Sequence, residues 1–186
     1  QTAIQAIRTN YPDAKGKPLY RERYRDHTAG LRRMAGAIEA MQNGETEMAG
    51  QRFGAAEKQF HRALKQAPRD YSAHLLMAKC QYAQKRFARA EEYAREAQQI
   101  YPQEAQAHLI AGLAQLQNQN YAEAYASFED FDRMLPGNPD LLFLRGLAQE
   151  GMQRREEAAR FYMSYLRVVR QGAPAQHAYQ RLVDWG

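Results

Sequence analysis

The strongest constraint in this sequence is a repeat: the step from Pro68 to Pro102 equals the step from Pro102 to Pro136. Other positions keep that step. Gly44, Ala78, Gly112 and Gly146 form a column of small residues, and Ala56, Ala90, Ala124 and Ala158 form a second. Phe53, Phe87 and Tyr121 form an aromatic column, broken at Arg155, and His74 pairs with His108. A chain that repeats at this interval folds as a stack of short units, because no unit can bury its own apolar face. Each unit reads as two helices. The small column admits a helix of the neighbouring unit at close range. The alanine column marks a helix crossing. The aromatic opens the second helix, and the proline ends it by removing a donor and restricting the residue before it.

The columns resemble the tetratricopeptide repeat (TPR), over residues 37–170. The sequence departs from that family where Gln81, Gln115 and Gln149 replace the usual aromatic; Met48, Tyr82 and Leu116, one place on, are read as taking that role. The resemblance implies an all-α fold, a right-handed superhelix of stacked antiparallel helix pairs. Residues 1–36 are expected to be helical and to pack on the array. Residues 37–170 supply about four units, the first degenerate, and 171–186 a capping helix.

Local signals agree. Ile4, Ile7 and Tyr11 share a face of a short helix over 2–11, and Pro12 to Pro18 is a break. Pro18 suits the first turn of a new helix. Tyr20, Tyr24, His27, Leu31, Met34, Ile38 and Met41 then alternate four and three apart. That is a single-face seam, read as a helix lying on the first unit, with a coiled coil as the alternative. Asn43-Gly44 is a second possible end for this helix. Further pairs are expected over 71–84 with 86–101, 105–119 with 121–135, and 141–152 with 155–169. A last helix over 175–185 carries Tyr179, Leu182, Val183 and Trp185.

Composition excludes several classes. At 45% hydrophobic residues the chain is not a disordered one. No apolar run has the length of a membrane span. Beginning at Gln1, with neither methionine nor a signal-type apolar region, the chain reads as an excised domain. The single Cys80 precludes an internal disulfide and reads as a packed thiol. Residues 1–34 hold eight basic and three acidic side chains, so the net +5 sits there and the remainder is neutral. This basic lead reads as a solvated helix face; an acidic partner or a membrane surface is the alternative. It lacks the interleaved aromatics of a nucleic-acid binder.

No catalytic constellation is present: no His-Glu-x-x-His, Walker loop, dinucleotide fingerprint or nucleophile elbow. The five histidines lack ligand spacing, so no metal and no cofactor is expected. A binding surface remains. TPR arrays line their concave side with the first helices of successive units. Carried over by repeat position, that lining is Leu75, Lys79 and Tyr82, then Leu109, Leu113 and Leu116, then Phe143, Leu147 and Glu150. Leu75, Leu109 and Phe143 stand where the family's chaperone-tail clamp begins, and Leu113 and Leu147 replace its asparagine, which disfavours that ligand. An apolar groove suits a protein or peptide partner presenting a helix or an apolar strand. The alternative is that the chain's own N-terminal helices fill it.

A second resemblance concerns context. The runs 135–139, 143–146 and 151–159, and the ending 175–186, are similar to the C-terminal TPR region of bacterial HtpX-like and CaaX-prenyl-protease-like zinc metallopeptidases. That resemblance implies a bacterial periplasmic or envelope location and an accessory, non-catalytic role, with the chain's own missing protease domain among the candidate partners. A free-standing cytoplasmic or envelope scaffold is the alternative. Oligomeric state is not legible.

Overall fold

The computed structural model describes residues 18–186, with side chains described from His27 onward. The short helix expected over 2–11 and the break at 12–17 lie outside the described residues. The fold consists of α1 (Pro18–Ala49), α2 (Phe53–Gln66), α3 (Tyr71–Ala83), α4 (Phe87–Ile100), α5 (Ala105–Gln117), α6 (Tyr121–Met134), α7 (Asp140–Gly151), α8 (Arg155–Val168) and α9 (Ala173–Trp185). No strand occurs among the described residues. Helices pack in sequence, each on the next, as four antiparallel pairs and a final helix. The first helices of successive units also touch, α1 with α3 and α3 with α5. The second helices show no comparable packing, so the first helices form the inner face of the all-α superhelix.

The turn inside each unit has the same build. Gln51, Lys85, Gln119 and Gln153 take a left-handed backbone, with φ of 57°, 59°, 63° and 62°. They too recur at the repeat step. In each, the left-handed residue and its successor return N–H groups to the end of the helix, as Lys85 to Tyr82 and Arg86 to Gln81. This is the Schellman closure, which satisfies the carbonyls a helix end leaves free. The usual glycine is missing at all four places, so no sequence signal marked them.

The small column works within a unit rather than between units, a correction to the reading above. Cβ atoms added at Gly112 and Gly146 would stand 2.6 Å from the Phe128 ring and 2.5 Å from the Tyr162 ring, each on the unit's own second helix. Gly44 faces Phe60 in the same way. In the second unit the pair is Ala78 and Ala94, both fully buried. Three units match no side chain to an aromatic, and one matches two methyls. Gly44 thus sits inside α1 and does not end it, and α1 with α2 forms a packed first pair.

Of the N-terminal seam, Met41 packs on the array beside Ala40 and Ala63, but Leu31, Met34 and Ile38 do not. Leu31 is 50% exposed, Met34 63% and Ile38 47%. Packing instead falls to Ala37, Ala40 and Gly44, one face further round α1. The reason is length. At about 1.5 Å per residue α1 outruns its 14-residue partner α2 by roughly 25 Å, and Gly36 already meets Gln66, the last residue of α2. A Cβ added at Gly30, further along α1, would meet nothing within 4 Å.

The N-terminal end of the stack is polar. Ala73, Met77 and Cys80 of α3 are buried against the unit before. The same positions in α1, one repeat step earlier, are the exposed Glu39, Asn43 and Thr46. At the other end, α9 continues the register as the first helix of a fifth unit. The column of Gly146 brings Gln180 there, which is exposed. Ala175, Ala178, Leu182 and Trp185 pack α9 down on α8, whereas Tyr179 and Val183, expected to join them, are 64% and 57% exposed.

Candidate inner-face binding site

The nine expected lining residues all sit on first helices, and the structure gives them unequal environments. Leu75 is buried in the core with Ala78, Ala94 and Ile110. Leu109, Leu113 and Leu116 are half-buried, rooted in the core around Phe128 and Leu141 while keeping part of each side chain exposed. Lys79 and Tyr82 are half-buried as well, with Tyr82 edge-on to Phe87 at 5.3 Å. Burial pushes the Tyr82 hydroxyl above its ordinary pKa. Phe143 and Leu147 are half-buried against the α8–α9 cluster.

Glu150 is engaged by the chain itself. It accepts a hydrogen bond from the Tyr162 hydroxyl at 2.6 Å, lies 3.3 Å from His177 Nε2, and is ion-paired with Arg181. His177, Arg181 and Asp184 are the fifth-unit members of the lining columns, one repeat step after Phe143, Leu147 and Glu150. The sequence reading stopped one row short because α9 was taken for a cap outside the register. The inner face therefore has a charged row at its C-terminal end and an apolar centre on α5 and α7.

Burial alone would raise the Glu150 carboxyl. Hydrogen bonds from Tyr162, Arg181 and His177, with the Arg181 charge, outweigh it and hold the group below the usual carboxylate range. Burial and the donation to Glu150 push Tyr162 up. A carboxyl whose folded pKa is depressed stabilises the fold above its unfolded pKa, and that contribution is lost as pH falls through the folded value. Docking of α9 should therefore weaken below about pH 4.5. Trp185, the only tryptophan, stacks on Tyr162 with ring centroids 6.1 Å apart, so its fluorescence reports the docking. Acid titration should shift the Trp185 emission, and Glu150→Gln should flatten that transition. An unchanged transition in the variant would remove Glu150 from this role.

Two junction devices escaped the sequence reading. Gln81, only 1% exposed, donates to Glu57 at 2.9 Å, and Gln84 and Arg86 reach the same carboxylate. One unit later Gln115 and Asn118 donate to Glu91, each at 3.3 Å. Gln81 and Gln115, two of the three glutamines that displace the usual aromatic, thus tie a second helix to the first helix of the next unit. Glu57, which burial alone would raise, is held below the usual range by the Gln81 and Gln84 bonds and by Arg86. At the following junction Tyr125 takes the carboxylate's place, and Arg145 bridges Glu129, Asp132 and the Tyr125 hydroxyl while lying 4.7 Å over the Phe161 ring. The signal was present, since Glu57 and Glu91 are one repeat step apart.

His74 and His108 also have a shared task. Each ring N–H reaches the carbonyl of the column proline six residues before it, Pro68 at 2.9 Å and Pro102 at 3.2 Å. They fasten the turn between units. Among the described residues no group of three or more His, Cys, Asp or Glu is placed to hold a metal ion, and no helix is long and apolar enough to cross a membrane. Cys80 is fully buried, and its burial raises the thiol pKa.

Comparison with known proteins follows from this geometry. YrrB, a TPR protein with an unusual peptide-binding site, superposes with a TM-score of 0.71 at 16% identity, covering 97% of this chain and 98% of its own. MamA from Desulfovibrio magneticus RS-1 gives 0.75 at 15% identity over 80% of this chain and 85% of its own. The first TPR of Spaghetti, bound to an HSP90 peptide, gives 0.63 at 17% identity over 64% and 95%. At these identities the likeness is one of fold. No curated protein sequence matches the chain. The profile described as Tetratricopeptide repeat matches residues 41–105 and 101–139, more than half of the sequence. The chain belongs to the tetratricopeptide repeat family.

Proposed function

We propose that this chain is a protein-interaction module whose inner face takes an apolar segment of a partner protein. One observation carries the reading. Leu109, Leu113 and Leu116 of α5 and Phe143 and Leu147 of α7 are half-buried on first helices, Phe143 and Leu147 standing one repeat step after Leu109 and Leu113. Apolar side chains left partly exposed on a concave surface mark a place where a partner displaces water. The peptide-binding neighbours support the same class of ligand.

The test is selection from a random dodecapeptide phage library on the immobilised full chain. Apolar residues should be enriched, and Leu113→Asn should lose most of that enrichment while keeping the parent's circular dichroism melt within about 3 kcal/mol. Selection that gives no apolar enrichment, or gives it equally on Leu113→Asn, would sink the reading.

We also propose that the module is the non-catalytic C-terminal region of a bacterial envelope zinc metallopeptidase. The resemblance of 135–159 and 175–186 supports this. The gene sequence decides it: a His-Glu-x-x-His helix encoded upstream is expected, and a start codon at the first residue would exclude it.

A further inference from the structure

We infer that α1 lies on an anionic lipid bilayer, with its exposed apolar line set into the headgroup layer and its arginines on the lipid phosphates. That face lies apart from the inner-face lining residues, so neither site depends on the other. Leu31, Met34 and Ile38 share one line along α1, and all three are exposed. The array holds α1 through the buried Ala37, Ala40 and Gly44. At about 3.6 residues per turn, Ala40 stands two and a half turns after Leu31, on the opposite side of the helix. Because α1 outruns α2 by roughly 25 Å, the line is open to a surface larger than the array.

Charge selects that surface. Residues 18–35 carry Arg21, Arg23, Arg25, Arg32 and Arg33 against Glu22 and Asp26, with Lys15 and Lys17 just before them. Arg32 and Arg33 are exposed. By helical spacing Arg23 falls on one side of the apolar line, and Arg21 and Arg32 fall on the other. Both flanks are therefore basic, while the chain after residue 34 is neutral. An apolar line bordered by arginines suits a helix lying in a lipid interface. The apolar side chains leave water, and the long arginine stems carry the guanidinium back to phosphate. Among the described residues no helix is long and apolar enough to cross a membrane, so α1 lies on the bilayer and does not span it. A second copy suits the line less well. It would bring the same arginines to the same seam, and like charges oppose that pairing.

Flotation of the full chain with vesicles of equal parts phosphatidylglycerol and phosphatidylcholine tests this. The chain should float with them, stay behind with phosphatidylcholine alone, and bind more weakly as salt rises. Arg32→Gln with Arg33→Gln should weaken vesicle binding about tenfold. Leu31→Ala with Met34→Ala should weaken it by about the same factor, since alanine keeps the helix and removes the apolar area. All four side chains are exposed, so the circular dichroism melt should stay that of the parent. A fluorophore on Met34→Cys reads the seam directly, because Cys80 is buried. Its emission should shift to the blue on the anionic vesicles. Vesicle binding unchanged by Leu31→Ala with Met34→Ala would reduce the contact to charge alone and overturn the proposal. Absence of binding to the anionic vesicles would also overturn it, and a dimer dissolved by the same alanine pair would then name a second copy as the occupant. A fluorophore already blue-shifted without vesicles would assign the seam to residues 1–17 or to a second copy, against the proposal. Polyglutamate that shifts the fluorophore as far as vesicles do would put an acidic protein in place of lipid and overturn it.

Discussion

Phe128→Ala should cost about 3–5 kcal/mol of unfolding free energy, read from urea denaturation followed by circular dichroism. Phe128 is fully buried, and its ring fills the space left by the missing side chain of Gly112. Gly112→Ala alone should also destabilise, by about 1–3 kcal/mol, because its methyl would meet a ring that the core holds in place. The two changes should not add. With the ring gone, Gly112→Ala removes a flexible residue from mid-helix and should recover about 1 kcal/mol. The double variant rebuilds, in the third unit, the Ala78–Ala94 pairing that the second unit already uses. Strictly additive costs would mean that the glycine and the aromatic are not partners.

Removal of α9, by truncation after Gln171, should have an effect of similar size. Tyr162 and Tyr165 are 0% and 2% exposed beneath it. Uncovering two such side chains forfeits up to about 3–6 kcal/mol. The polar ties of Glu150 to His177 and Arg181 go with them. The truncated chain should unfold at lower urea and bind more of a hydrophobic dye than the full chain. A truncated chain as stable as the parent would show that α8 can end the array alone.

The helix pairs were legible because their columns are covalent facts: a proline, an alanine or a glycine recurring at a fixed step constrains sterics wherever it falls. Boundaries came within two residues for the same reason. The seam on α1 was misplaced because its four-three spacing fixes which residues share a face and says nothing of what that face meets. Ala37 and Ala40 share another face, and small residues carry little periodic signal although they set the closest contacts. Glu57 and Gln81 were missed because polar pairs at a junction are visible only when two units are set side by side. The expected lining followed the register up to Glu150. Beyond it the register continues into α9, but the change from Gly146 to Gln180 disguises the fifth row.

The polar N-terminal end has a consequence for how such a chain changes length. A unit added before α1 would lay its apolar face on Glu39, Asn43 and Thr46. That addition finds no surface that accepts it. The interior has no such bar: copying a block of one repeat step, such as 69–102, would reproduce its own junctions on both sides, including the Glu57–Gln81 type of tie. Gene duplication or design can therefore lengthen this protein from its middle, inserting a new inner-face row between Lys79 and Leu113.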